Sequence, residues 1–141
     1  MKVTLLGHAS MLVEMEGHTV LMDPVFDDPF SDGAVVACPA REVAVDRLPR
    51  IDTVFLSHAH FDHFHLRSLA RLPRGLPVLC PEDPAIPYAL RKLGFTDVRM
   101  LGADALVELA PGCELLTTFS NNPEIVEVGV VVRDASGVFW N

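Results

Sequence analysis

Ser57-His58-Ala59-His60-Phe61-Asp62-His63-Phe64-His65 gathers four of the chain's six histidines and one carboxylate into nine consecutive residues. Neutral imidazole and carboxylate are the donors that small divalent cations take, zinc first, with manganese or iron as alternatives. A site built from them can keep one position open for water, and that position is where metal-assisted chemistry takes place. The preceding run, Thr53-Val54-Phe55-Leu56, is apolar and β-forming, as expected of a buried strand, while Leu66 to Leu72 reads as a short amphipathic helix. The histidines therefore occupy a strand-to-helix loop. In an extended or turning segment His58 and His60, two apart, point the same way and can chelate one ion, whereas the adjacent Asp62 and His63 diverge and can serve a second. Histidine-rich surface loops exist without metal, but four histidines and an aspartate at the exit of a buried strand are hard to explain structurally.

The pattern His58-x-His60-x-Asp62-His63 resembles the signature of the metallo-β-lactamase-fold hydrolases. Gly7-His8-Ala9-Ser10 followed by Leu21-Met22-Asp23-Pro24 is similar to the opening of their lactonase-like and phospholipase D-like branch. The resemblance implies an α+β fold, the layered αββα sandwich, with one or two metal ions at one edge of the sheets. It also implies hydrolysis of a small-molecule substrate, a lactone, an N-acyl group or a phosphodiester, by metal-activated water. His58 and His60 would then hold one ion and Asp62 and His63 the other, with Asp62 also orienting the water or accepting its proton. His8 stands where the family places a histidine close to the metal pocket. Asp23 matches an aspartate that lies beneath the metal-binding loop; it is either a turn-initiating Asp-Pro or a hydrogen-bond partner of a ligand histidine. His18 reads as an exposed turn residue without a ligand role.

The chain also departs from the family. A third histidine is usual in the loop that follows the strand matching Cys113 to Thr118, but here that loop reads Phe119-Ser120-Asn121-Asn122-Pro123, and no histidine follows His65. The aspartate expected shortly after Val138-Phe139-Trp140 is missing, because the sequence stops at Asn141. On this reading residues 1–141 are one domain, the N-terminal half of a sandwich whose second β-layer and last histidine are absent. A sheet without its partner layer exposes an apolar face, so a homo-oligomer or a partner that completes the sandwich is expected. The rival expectation is a catalytically inactive metal-binding or interaction protein on a truncated version of the fold.

Composition narrows the classes further. With 141 residues, half of them hydrophobic, the chain can bury a sizeable core. A formal net charge of -8 disfavours nucleic acid as a partner, although a metal cluster can hold a phosphate locally. Cys38, Cys80 and Cys113 are odd in number and widely spaced, which suggests neither a disulfide framework nor a cysteine zinc site. No apolar run is long enough to span a membrane, and no signal-peptide pattern opens the chain, so a cytoplasmic location is the simplest expectation.

Elsewhere, Val3 to Leu6, Met11 to Met15 and Thr19 to Met22 read as an antiparallel meander. Val25 to Arg50, which includes Cys38-Pro39-Ala40-Arg41, is a long loop in which Phe26 and Phe30 either cap an apolar substrate or anchor the loop to the core. Val78 to Cys80 is a short strand and Ala85 to Leu93 a helix stopped by Gly94. Asp97 to Met100, Leu106 to Leu109, Cys113 to Phe119 and Ile125 to Arg133 follow as strands, the last closing a hairpin onto Val138 to Trp140. Strands mixed with helices in this way suggest a layered αβ domain.

Overall fold

Apolar residues on both faces of the central strands force a three-layer arrangement, and the computed structural model has one; it describes residues 1–40, 43–121 and 124–141. Arg41 of the long loop, and Asn122 and Pro123 of the loop after Phe119, lie outside the described residues. The first sheet has the order β1 (Lys2–Gly7), β2 (Ser10–Met15), β3 (His18–Met22), β4 (Thr53–Phe55), β5 (Val78–Pro81), β6 (Val98–Leu101). Its first three strands form the expected antiparallel meander, and β4, β5 and β6 add in parallel. Parallel neighbours need crossover connections, and two of these carry the helices α1 (Leu66–Leu69) and α2 (Ala85–Lys92). The second sheet, order β10 (Gly137–Trp140), β9 (Val128–Asp134), β8 (Cys113–Phe119), β7 (Leu106–Ala110), is antiparallel throughout.

Side-chain alternation along the central strands sorts two cores. Leu21, Val54, Val78 and Cys80 face Leu69, Leu72, Ile86 and Leu90 on the helical side. Their neighbours Val20, Met22, Phe55 and Leu79 face Cys113, Leu115, Val128, Val130 and Val132 of the second sheet. A strand buried on both faces reads as a continuous apolar run, which is why Thr53-Val54-Phe55-Leu56 carries no period of two. Burial pushes the Cys80 thiol up to about 12, so it behaves as a small apolar residue. Cys113 is buried as well, and Cys38 is exposed.

Four expectations need correction. The second β-layer is present: β7 to β10 cover the first sheet, and the inner faces of β8 and β9 are buried against it. What lacks cover is their outer face, where Leu106 and Val138 are 60% and 67% exposed. Among the described residues the partial fold is thus an α-β-β stack without an outer helical layer. Secondly, β9 begins at Val128 rather than Ile125, because Ile125-Val126-Glu127 leaves the ladder. Thirdly, α1 ends at Leu69; the chain continues in turns to Pro73, yet Leu72 remains in the core. Lastly, His18 opens β3 half-buried, with Nε2 3.0 Å from Thr53 Oγ1.

The long loop is anchored rather than free. Phe26 and Phe30 are both buried, Phe26 within the helical-side core, and Ser68 Oγ accepts the Phe26 backbone N–H at 2.7 Å.

Adjacent leucines on β8 test the layering. Leu115 is fully buried between the sheets and Leu116 is 36% exposed on the outer face. In chemical denaturation, Leu115→Ala is expected to cost about 2–5 kcal/mol and Leu116→Ala less than about 1 kcal/mol. Equal costs would mean that the sheets do not pack in this order.

Candidate metal centre

The site lies where β3 and β4 end side by side at one edge of the first sheet. Both strands run into it in parallel, with Met22 paired to Phe55. The Asp23 N–H extends that ladder by donating to the Phe55 carbonyl at 2.9 Å. Asp23 then turns with φ of 42°, a left-handed conformation that aspartate and asparagine tolerate better than most residues. Its side chain, only 1% exposed, is thereby carried under the loop that leaves β4.

That buried carboxylate is fully used. Asp23 Oδ1 accepts the Ser57 backbone N–H at 2.8 Å, and Oδ2 accepts the Ser57 hydroxyl at 2.7 Å. His63 Nδ1 lies 2.8 Å from the same Oδ2. His58 Nδ1 lies 2.9 Å from Ser57 Oγ. The serine has one hydroxyl proton and spends it on Asp23, so it can only accept from His58. A carboxylate can likewise only accept from His63. The network therefore assigns the Nδ1–H tautomer to both rings and leaves both Nε2 lone pairs free.

The loop itself is a tight turn. The backbone N–H groups of His63 and Phe64 both donate to the His60 carbonyl, at 2.9 and 2.6 Å, and Phe64 is buried in the helical-side core. This folds the histidines over one another: ring centroids lie 4.6 Å apart for His58 and His60 and 4.1 Å apart for His58 and His63. His8, at φ of 50° in the β1–β2 turn, reaches across from the neighbouring connection. Its Nε2 lies 2.9 Å from Asp62 Oδ2, and its ring stands 5.6 Å from that of His63.

Two donor groups result, His58-His60-Asp62 and His8-Asp62-His63, each with its donor atoms within 4.8 Å of one another. Two differences from the expected pairing appear: Asp62 belongs to both groups, and His8 joins the second. His65 faces elsewhere, with Nδ1 2.8 Å from Ser68 Oγ and Nε2 3.9 Å from Asp27. Sequence reading missed Glu127. Its Oε1 stands 3.8 Å from His58 Nδ1 and its Oε2 accepts the Ser120 hydroxyl at 2.8 Å. The only signal was an acidic residue within an otherwise apolar stretch ahead of a strand, and nothing in that run shows that it crosses the metal loop.

The electrostatics follow from these contacts. Burial, with His63 alongside, lowers the His58 pKa. Burial opposes the charged form of His63 too, but the hydrogen bond and charge of Asp23, with Asp62 and Glu127 behind it, raise that imidazole above its ordinary value. For Asp62, burial is outweighed by the His8 hydrogen bond, a backbone bond and the neighbouring imidazoles, so its carboxyl falls below the usual value.

Two sheets with helices on one outer face and a histidine-aspartate cluster at the strand ends define a metallo-β-lactamase-type fold. The chain belongs to the family described as beta-lactamase superfamily domain, whose profile matches residues 18–119. An uncharacterized protein of Mycobacterium tuberculosis is 38% identical over 74 residues, which span 50% of this chain and 20% of that protein. The 4-amino-L-phenylalanyl-[CmlP-peptidyl-carrier-protein] 3-hydroxylase of Streptomyces venezuelae is 34% identical over 100 residues, 65% of this chain and 18% of that one. The chain thus spans about a fifth of the length of these relatives. Among solved structures, the diiron β-hydroxylase CmlA from Streptomyces venezuelae superposes with a TM-score of 0.74 at 24% identity, over 98% of this chain and 28% of that chain. The isothiocyanate hydrolase from Delia radicum gut bacteria gives 0.73 at 21% identity, over 96% and 59%. A further structural neighbour, from Ignicoccus hospitalis, is described as a metallo hydrolase.

In metal-free protein, NMR titration should place the His63 midpoint above 6.5 and the His58 midpoint below it. Asp23→Asn keeps the shape and tolerates the backbone conformation but removes the charge, so it should move the His63 midpoint downward. An unmoved midpoint would mean that Asp23 does not hold the ring.

Proposed function

We propose that this chain carries the metal site of a metal-dependent hydrolase. The observation that carries the reading is the pair of Nε2 atoms on His58 and His63, left free because Asp23 and Ser57 occupy both Nδ1 positions. Histidine ligands are commonly fixed in this way by a carboxylate behind them. His58, His60 and Asp62 would hold one divalent ion, and Asp62, His63 and His8 a second, with zinc first and manganese or iron as alternatives. An ion there would supply Lewis acidity toward a carbonyl or phosphoryl oxygen and lower the pKa of bound water toward about 7. Asp62, whose carboxyl stays ionised, is the catalytic residue of this reading: it orients the attacking water and takes its proton. Asp23, buried and fully bonded, positions His63 and touches no substrate.

A second reading is supported by the 34% identity to a protein named as a 3-hydroxylase, whose structure is described as diiron. The same donors suit iron, and the chemistry would then be oxidative. Cleavage of a lactone by zinc-loaded protein without oxygen would favour hydrolysis; turnover only with iron and oxygen would favour the second reading.

Replacing His58 and His60 together by Ala should remove the ion that they hold, so that the metal content in elemental analysis falls, while circular dichroism stays unchanged. Asp23→Asn should weaken binding by about 10–100-fold. Affinity should fall as pH drops through the histidine range, beginning above 6.5 with His63 and ending below it with His58, because protonated imidazole cannot ligate. Full metal retention in the double variant would remove the assignment.

The partner reading rests on the outer face of the second sheet. Leu106, Leu116 and Val138 stand open there beside the ion pair Arg133–Glu114. A second copy or another chain would cover them. Light scattering should show association that Val138→Lys weakens; a sharp monomeric mass that binds no hydrophobic dye would count against it.

A further inference from the structure

Two cavities open side by side at the strand ends, divided by Glu127. One, of about 350 Å³, reaches Ser57 and His63 of the donor cluster. The other, of about 360 Å³, lies between the ends of β5 and β6 and the segment that follows β8. Phe119, Ser120, Glu127 and Val128 line both, so the two adjoin across a shared wall. Each falls in the size range of ligand pockets, about 300–1,000 Å³.

The second cavity has a definite chemistry. Leu101, Ala103, Ile125 and Val126 make its walls apolar, and Phe119 and Val126 are 72% and 49% exposed, as for a surface that awaits a ligand. Its charged groups are Glu82 and Glu127. The Glu82 carboxylate lies against Gly102: a Cβ built there would stand 3.5 Å from Glu82 Oε2, in ordinary contact. Among the described residues, no lysine or arginine lines either cavity. An anionic group would meet two carboxylates and no basic side chain among the described residues of the trough, which costs free energy, whereas a neutral chain or an ammonium is admitted.

Resting on the hydrolase reading, we infer that this trough takes the apolar portion of the substrate, and that this portion ends in a neutral or cationic group rather than an anionic one. The reacting group lies toward His63 and Ser57; the apolar portion runs past Glu127 between Phe119 and Val126; Glu82 faces its far end. The inference concerns binding by the chain's own residues and needs no metal to be tested.

Calorimetric titration of metal-free protein with three probes of one length, octanamide, octylamine and octanoate, is the test. Octanamide and octylamine should bind, with octylamine about tenfold or more tighter than octanoate. Glu82→Gln should erase the preference for octylamine over octanoate and leave octanamide unchanged. Val126→Asp, at an exposed position outside the core, should weaken octanamide by about tenfold. Octanoate binding as tightly as octylamine, or octanamide affinity insensitive to Val126→Asp, would overturn the inference. The two readings fail separately. Probe binding as described in a protein that takes no metal would leave the trough standing and remove the hydrolase, whereas metal uptake without probe binding would do the reverse.

Discussion

One buried carboxylate organises the site. Asp23 cannot be solvated at 1% exposure, and an ionised group in that position must be met by donors or it is expelled. It receives the Ser57 backbone N–H, the Ser57 hydroxyl and the His63 ring, all from the loop that leaves the neighbouring parallel strand. The bonds therefore do two things. They satisfy Asp23, and they lock the start of the histidine loop to the end of β3. Ser10 adds a further clamp from β2, donating to the Asp23 carbonyl at 2.7 Å and accepting the Val25 N–H at 2.8 Å. Three strand ends are thus tied by polar contacts at the edge of a core that is otherwise apolar.

This arrangement explains how a short loop holds imidazoles a few ångströms apart. The rings are held from behind, through Nδ1, by groups that are themselves fixed by the sheet. Their opposite electrostatic environments follow from the same geometry. His58 faces a serine and two other histidines and is disfavoured as a cation; His63 faces Asp23 directly and is favoured. An ion placed among the Nε2 atoms replaces the proton as the positive charge that the aspartates neutralise, so metal and proton compete for one location.

The second sheet matters for more than stability. By packing Leu115, Val128, Val130 and Val132 on Phe55, Met22 and Leu79, it brings the segment before β9 across the metal loop. Glu127 arrives beside His58 by that route, and the apolar trough forms on its far side. The outer face of this sheet, with Leu106 and Val138 open, is the part of the layered fold that these residues do not cover.

Much was legible in the sequence, and the reasons are local. A dense run of histidines and an aspartate at a strand exit announces metal chemistry by composition alone, and alternating or continuous apolar runs place nearly every strand. The Asp-Pro after β3 was legible as a choice between turn and hydrogen-bond partner; only the parallel pairing of β3 with β4 settles it, by carrying Asp23 beneath Ser57 and His63. The sharing of Asp62 between two donor groups, the entry of His8 and the position of Glu127 were not legible. Each depends on distances between residues 54, 55 and 69 apart in the chain or on the five-residue turn at His60, and sequence spacing carries no information about contacts made by tertiary packing. The second β-layer was misjudged for a related reason. Whether a strand's apolar face is covered depends on which sheet it joins and where that sheet docks, and residues 106–140 spell strands without stating that they fold back over β3, β4 and β5.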